Sequence, residues 1–199
     1  MPHLDRSPVA AVAPSRAPWR RLAAVALLGA VVAATFPFSS AQAQPPRPRV
    51  KFRAYQLEVF LDTLVYARDT VHASPAQAFA AARATYAALK LPREWADSAN
   101  GQIGTLKARL SYQIGGERLS TYFNCGQGLT GANADQWRLQ VALVTFVEPT
   151  TNGKSRVGTG VVAEAQDMSG VSTEPAMCGS SGLLEARILK DVKARLGTP

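Results

Sequence analysis

The chain has 199 residues, 47% of them hydrophobic and 18% charged, which is the composition of one ordinary globular domain and excludes a disordered, collagen-like or polytopic membrane chain. Its net charge of +8 comes from 22 basic and 14 acidic residues, and the excess lies toward the N-terminus. Two cysteines and two histidines are too few for a disulfide-dense scaffold, a four-thiolate zinc site or most histidine-based metal chemistry, so no metal and no cofactor is expected.

The first predicted unit, residues 1–43, is an export signal. Arg16, Arg20 and Arg21 precede an apolar stretch from Leu22 to Phe36, and Ala41-Gln42-Ala43 supplies the small residues of a cleavage site after Ala43. At 1.5 Å per residue the stretch falls short of a hydrocarbon core about 30 Å thick, so no transmembrane anchor is expected after cleavage. Trp19 before the arginine pair and Leu22-Ala23-Ala24 after it favour the general secretory route over the twin-arginine route, and no cysteine follows to carry a lipid. The mature chain is expected in the periplasm or outside the cell.

Residues 44–55 read as a basic, proline-rich, extended and solvated lead-in. Arg47, Arg49, Lys51 and Arg53 concentrate the positive charge there and leave the remainder nearly neutral. A nucleic-acid partner is not expected, because the folded part lacks a basic excess and export removes the chain from nucleic acid.

Residues 56–199 read as a single α+β domain. Alternation around Leu57, Val59 and Leu61 predicts a long or broken strand near 56–72. Ser74-Pro75-Ala76-Gln77 then carries an N-cap serine, a proline at the first helical position and a glutamine three after the cap. Phe79, Ala82, Tyr86 and Leu89 make the apolar stripe of the helix that follows, and Pro92 stops it. From Leu106 to Ile114 the even positions are apolar, and Gly115-Gly116 suits a two-residue turn that would set Tyr112 opposite Leu119 and Leu106 opposite Cys125. Apolar odd positions recur in Leu139, Val141, Leu143 and Val147 and again in Val157, Val161, Ala163 and Ala165. A three-residue loop over 151–153 pairs odd with odd and predicts Leu143 opposite Val161. Leu184, Ile188, Leu189, Val192 and Leu196 form the apolar side of a closing helix over 183–196. The predicted architecture is two-layered, an antiparallel sheet with both helices on one face.

The passage from Val71-His72-Ala73 through Ser74-Pro75 into an amphipathic helix, followed by an antiparallel sheet and a C-terminal helix, resembles the helix-grip arrangement of BamC-type envelope domains and START-like lipid-binding domains. The resemblance is one of architecture over about 56–197. It implies that fold and, as in the lipid-binding members, room for an apolar ligand between sheet and C-terminal helix; it transfers no functional residue.

Few residues point to chemistry. Cys125 and Cys178 are expected to form a disulfide after export, since they lack the C-x-x-C spacing of a redox or metal pair. Gly126-Gln127-Gly128-Leu129-Thr130-Gly131 spells a dinucleotide fingerprint, but the few residues before the next strand leave no room for the crossover helix, so a flexible loop is expected. His72 is the one histidine after the signal and has no evident nucleophile beside it; Gly179-Ser180-Ser181-Gly182 lacks the spacing of a nucleophile elbow. No catalytic residue is assigned. The outward side of the first hairpin, with Lys107, Arg109 and Tyr122, is the candidate binding face for an anionic glycan, lipid head group or acidic partner. The functional expectation is a non-catalytic interaction module that meets an envelope protein or surface component, with a carrier of a small apolar ligand as the alternative.

Overall fold

A computed structural model describes residues 46–197; the expected signal segment and its cleavage site at Ala43 lie outside the described residues. Residues 46–55 of the expected solvated lead-in fold onto the sheet instead. Arg49–Val50 (β1) pairs antiparallel with Val59–Phe60 (β2). Arg47, Arg49, Lys51 and Arg53 are exposed, whereas Pro48, Val50 and Phe52 between them are buried. This period of two sends charge to water and apolar surface inward, so the basic run is one side of an extended segment and not a free arm. Arg47 also pairs with Asp62 at 2.7 Å and covers the Phe60 ring.

A 3-10 turn at Leu61–Leu64 breaks the strand expected near 56–72, and Val65–Val71 (β3) continues it. The helix Pro75–Ala88 (α1) opens on the capping box expected from its sequence. The Gln77 amide donates to Ser74 Oγ, and Gln77 Oε1 accepts from the Ser74 amide at 3.0 Å. Phe79, Ala82 and Tyr86 bury its inner face, and Leu89 and Leu91 follow them inward before Pro92.

Trp95–Asp97 (β4) pairs with the start of Gln102–Leu110 (β5). Alternation in β5 fails at one point. Val141 lies opposite Ala108 but Leu143 opposite Thr105, so Leu106 and Lys107 together face one residue. This β-bulge sends Leu106 to one side of the sheet and Leu110 to the other, against the expectation that all the even residues share a face.

Gln113–Ile114 (β6) and Glu117–Arg118 (β7) make the turn expected at Gly115-Gly116, in the expected register, but the pairing stops after Gln113 and Arg118. The expected opposition of Leu106 and Cys125 does not form. Tyr112 takes a positive φ of 68°, and Leu119–Tyr122 (α2) is a helical turn. The spacing of Leu119 and Tyr122 explains it, because residues three apart share one side of a helical turn and both enter the core. Phe123–Asn124 (β8) follows. The glycine-rich segment, expected as a flexible loop, is a tight hairpin of Gln127–Gly128 (β9) and Gly131–Ala132 (β10), closed by the short helix Asn133–Gln136 (α3).

Arg138–Pro149 (β11) and Ser155–Gln166 (β12) pair residue by residue with Leu143 opposite Val161, the odd-with-odd register. Asn152 and Gly153 turn the chain with φ of 65° and 70°. Ala176–Ser180 (β13) and the helix Leu183–Arg195 (α4) complete the fold. The sheet runs β4-β5-β11-β12, and beyond β12 it forks. β3 pairs with 155–160, β13 pairs with 163–165, and β8 joins β13. A disulfide between Cys125 and Cys178 ties the chain after β8 to β13, and both cysteines are buried.

The architecture is α+β, with α1 and α4 layered on one face of an antiparallel sheet. Leu139, Val141, Leu143 and Val161 meet Tyr86, Leu184, Ile188 and Val192 in the principal core. On the other face Val50, Phe52 and Leu61 cover Ala142, Val144, Phe146 and Val162. Gly160 makes that cover possible, since a Cβ there would lie 2.0 Å from the Leu61 carbonyl oxygen.

Gly160→Ala is expected to cost about 1–3 kcal/mol in urea unfolding through overpacking, with the first effect seen in residues 48–62. Replacing both cysteines by serine is expected to lower stability by up to about 4 kcal/mol for a 53-residue span, and alkylation of the intact protein to label no thiol.

Candidate anion-binding site

The second face of the sheet changes character along its length. Side chains at Phe146, Val144 and Ala142 of β11 and Val162 of β12 are apolar and covered. The next residues on the same face are Gln140 and Arg138 of β11 and Glu164 and Gln166 of β12. Strand register brings these polar groups together, with Arg109 and Glu164 flanking Gln140 on either side and Arg138 opposite Gln166.

The N-terminal segment closes this polar end. Phe52 is buried against the sheet there, and two residues later the Ala54 amide donates to Glu164 Oε2 at 2.8 Å. That bond positions Arg53 beside the strands. Arg53, Arg109, Arg138, Gln140, Glu164 and Gln166 surround a pocket of about 240 Å³.

The electrostatics of the pocket are uneven. Elsewhere, Arg47 and Arg49 pair with Asp62 and Glu58, and Arg187 donates to the Tyr122 hydroxyl at 2.6 Å. Arg53, Arg109 and Arg138 make no side-chain hydrogen bond or ion pair among the described residues. Three guanidinium groups and two carboxamides therefore face a space that holds one carboxylate, Glu164, itself engaged by a backbone amide. Such a set matches an anionic group that accepts planar, paired hydrogen bonds, as carboxylates and phosphates do.

Of the three residues proposed from sequence as a binding face, Arg109 lines the pocket and Lys107 is exposed in the bulge beside it. Tyr122 does not join them. It is 3% exposed in the principal core, because the turn of α2 directs it inward. His72 is exposed and lies 3.4 Å from the Lys154 ammonium, not among acids. Arg53, Arg138, Gln140 and Gln166 escaped the sequence reading. The parity of β11 and β12 carried a signal for three of them, since every even position opposes the apolar odd set; Arg53 depends on a contact 110 residues away.

No family model matches the chain, and no curated protein matches it.

Tyr122→Phe removes the acceptor of the Arg187 bond and is expected to lower stability by about 1 kcal/mol in denaturant unfolding. It should leave anion binding unchanged, as suits a core residue and not a surface one.

Proposed function

We propose that the mature chain is an exported, non-catalytic interaction module of the bacterial envelope or secreted space, which holds a carboxylate- or phosphate-bearing group of its partner at Arg53, Arg109 and Arg138. The observation that carries this reading is the convergence of three guanidinium groups, from the N-terminal segment, β5 and β11, on one concavity without an ionic partner among the described residues. Arginines left in this state keep their capacity for bidentate recognition and bear little cost of breaking an existing pair when the ligand arrives. The disulfide supports an oxidising compartment. Among the described residues no helix is long and apolar enough to cross a membrane. Two helices layered on one face of an antiparallel sheet support the architectural likeness to helix-grip domains.

A second reading, a carrier of a small apolar ligand, is favoured by one feature. Between the helix-facing side of β3 and α4 runs a groove of about 370 Å³ lined by Ala67, Ala186, Leu189 and Ala194. It lies beside α4, whose Leu184, Ile188 and Val192 fill the space beneath.

Calorimetric titration of the mature protein with oligogalacturonate and, separately, with inorganic phosphate tests the first reading. The wild type is expected to bind one or both saturably, more weakly as salt rises. Arg53→Gln, Arg109→Gln and Arg138→Gln combined are expected to weaken binding at least tenfold without loss of folding. Equal binding by wild type and triple variant would count against the site. For the carrier reading, a neutral naphthylamine dye should fluoresce in the groove, and Ala186→Glu should abolish the signal.

A further inference from the structure

The fork in the sheet builds a second cleft, chemically opposite to the arginine pocket. β3 leaves β12 where Val65 faces Gly160, and β13 joins it where Cys178 faces Ala163. Among the described residues, Val161 and Val162 therefore have no strand beside them on that edge. A register shift in β3 makes Tyr66 the extra residue opposite Thr159 and Gly160. Bulges of this kind re-aim a side chain. The Tyr66 ring lies over Gly182, where a Cβ would come within 2.6 Å of Cδ1, and the residue is still 77% exposed.

The resulting cleft has a volume of about 410 Å³ and is lined by Tyr55, Leu64, Tyr66, Val162, Ser180 and Glu185 among others. Most of its wall is apolar or aromatic. Tyr55 Oη lies 3.1 Å from the Ala163 carbonyl oxygen and 3.3 Å from that of Cys178, so its proton is directed into the backbone. Glu185, in the first turn of α4, also lines the cleft and is 1% exposed. Its Oε1 accepts from the Ser180 hydroxyl at 2.6 Å. Among the described residues its Oε2 has no hydrogen-bond partner.

A buried carboxyl oxygen left unpaired is costly, and such an oxygen calls for a donor. The groups that share the cleft with Glu185 are Tyr66 from β3, valines from β12, Ser180 from β13, and Tyr55 and Val59 from the preceding segment. None of them brings a cation. Burial pushes the Glu185 carboxyl up from its ordinary value, opposed by the Ser180 hydrogen bond and by its own backbone amide.

We propose that this cleft binds a small amphiphile bearing a protonated amine, with the ammonium on Glu185 Oε2 and the apolar body along Leu64 and Val162 between the Tyr55 and Tyr66 rings. An ammonium supplies both the missing donor and the compensating charge, and aromatic faces add attraction for a cation. An alcohol of the same length supplies a donor without the charge. A carboxylate supplies neither.

The binding is linked to pH. The ligand takes Glu185 as a carboxylate, and protons compete for the same oxygen. Because the folded-state value is raised, affinity is expected to rise from pH 5 to pH 7, where an alkylammonium stays charged.

Amide-detected NMR titration of the mature protein with hexylamine, hexanol and hexanoate tests this. Hexylamine is expected to shift Tyr66 and residues 179–185 saturably. Glu185→Gln is expected to lose at least tenfold in hexylamine affinity and the rise with pH, and Tyr66→Ala, an exposed substitution that spares the core, several-fold in affinity. Hexanol is expected to bind weakly and alike in wild type and Glu185→Gln, and hexanoate to leave these amides unmoved. Failure of hexylamine to saturate, equal affinity for hexanol, or an undiminished response in both variants would overturn the proposal. The arginine variants leave this cleft intact, so its outcome is separable from that of the anion site.

Discussion

The constraint on which the fold rests is that β11 and β12 are apolar on both faces. They pair without interruption from Arg138 opposite Gln166 to Pro149 opposite Ser155. Odd residues such as Leu139, Val141, Leu143 and Val161 point one way, and Ala142, Val144, Phe146 and Val162 the other. A hairpin of this kind is stable only if both sides leave water, at roughly 25 cal/mol for each Å² of apolar surface removed. The two long helices cover the odd side. Residues 48–62 cover the even side, with Val50, Phe52 and Leu61 as anchors, and the absence of a side chain at Gly160 lets the Leu61 backbone settle against the strand.

The arginine pocket follows from where that cover ends. Past Ala142 and Val162 the even residues turn polar, so nothing favours extending the cover further. The Glu164 carboxylate fastens the segment at Ala54, and Arg53 is left at the margin beside Arg109 and Arg138. The fork has a comparable origin. One edge of β12 is shared by β3 and β13, which stop short of each other, and the gap between them opens onto Glu185. The disulfide holds β13 against the chain leaving β8 and thereby fixes one wall of that gap.

Much of this was legible in the residues themselves. Parity chose the three-residue loop and Leu143 opposite Val161, because a two-residue loop at Asn152-Gly153 would have set Val141 against Glu164. Ser74, Pro75 and Gln77 announced a helix start, and the two cysteines their bond. The failures have definite physical causes. A single extra residue at Leu106-Lys107 reversed the facing of everything before it, which no periodicity count detects. Leu119 and Tyr122 satisfy both a two-residue and a three-residue spacing when read with their neighbours, and burial chose the helical turn. In the N-terminal segment, strong charge at 47, 49, 51 and 53 obscured the apolar residues alternating with it. Of the arginine site, Arg109 was visible on its strand, whereas Arg53 required the fold to bring it across the sheet. Glu185 gave no signal, since one acid among the apolar residues of a terminal helix reads as its solvent side.

Amide hydrogen exchange at Ala54 and Leu61 measures the cover on the even side of the hairpin directly. Their amides donate to Glu164 and to the Pro48 carbonyl, bonds that exist only if residues 46–64 lie folded on the second face of the sheet. Both are expected to exchange far more slowly than in an unfolded chain. Exchange of both at the unfolded-chain rate, while β11 and β12 remain protected, would show that the even side of the hairpin is covered by something else.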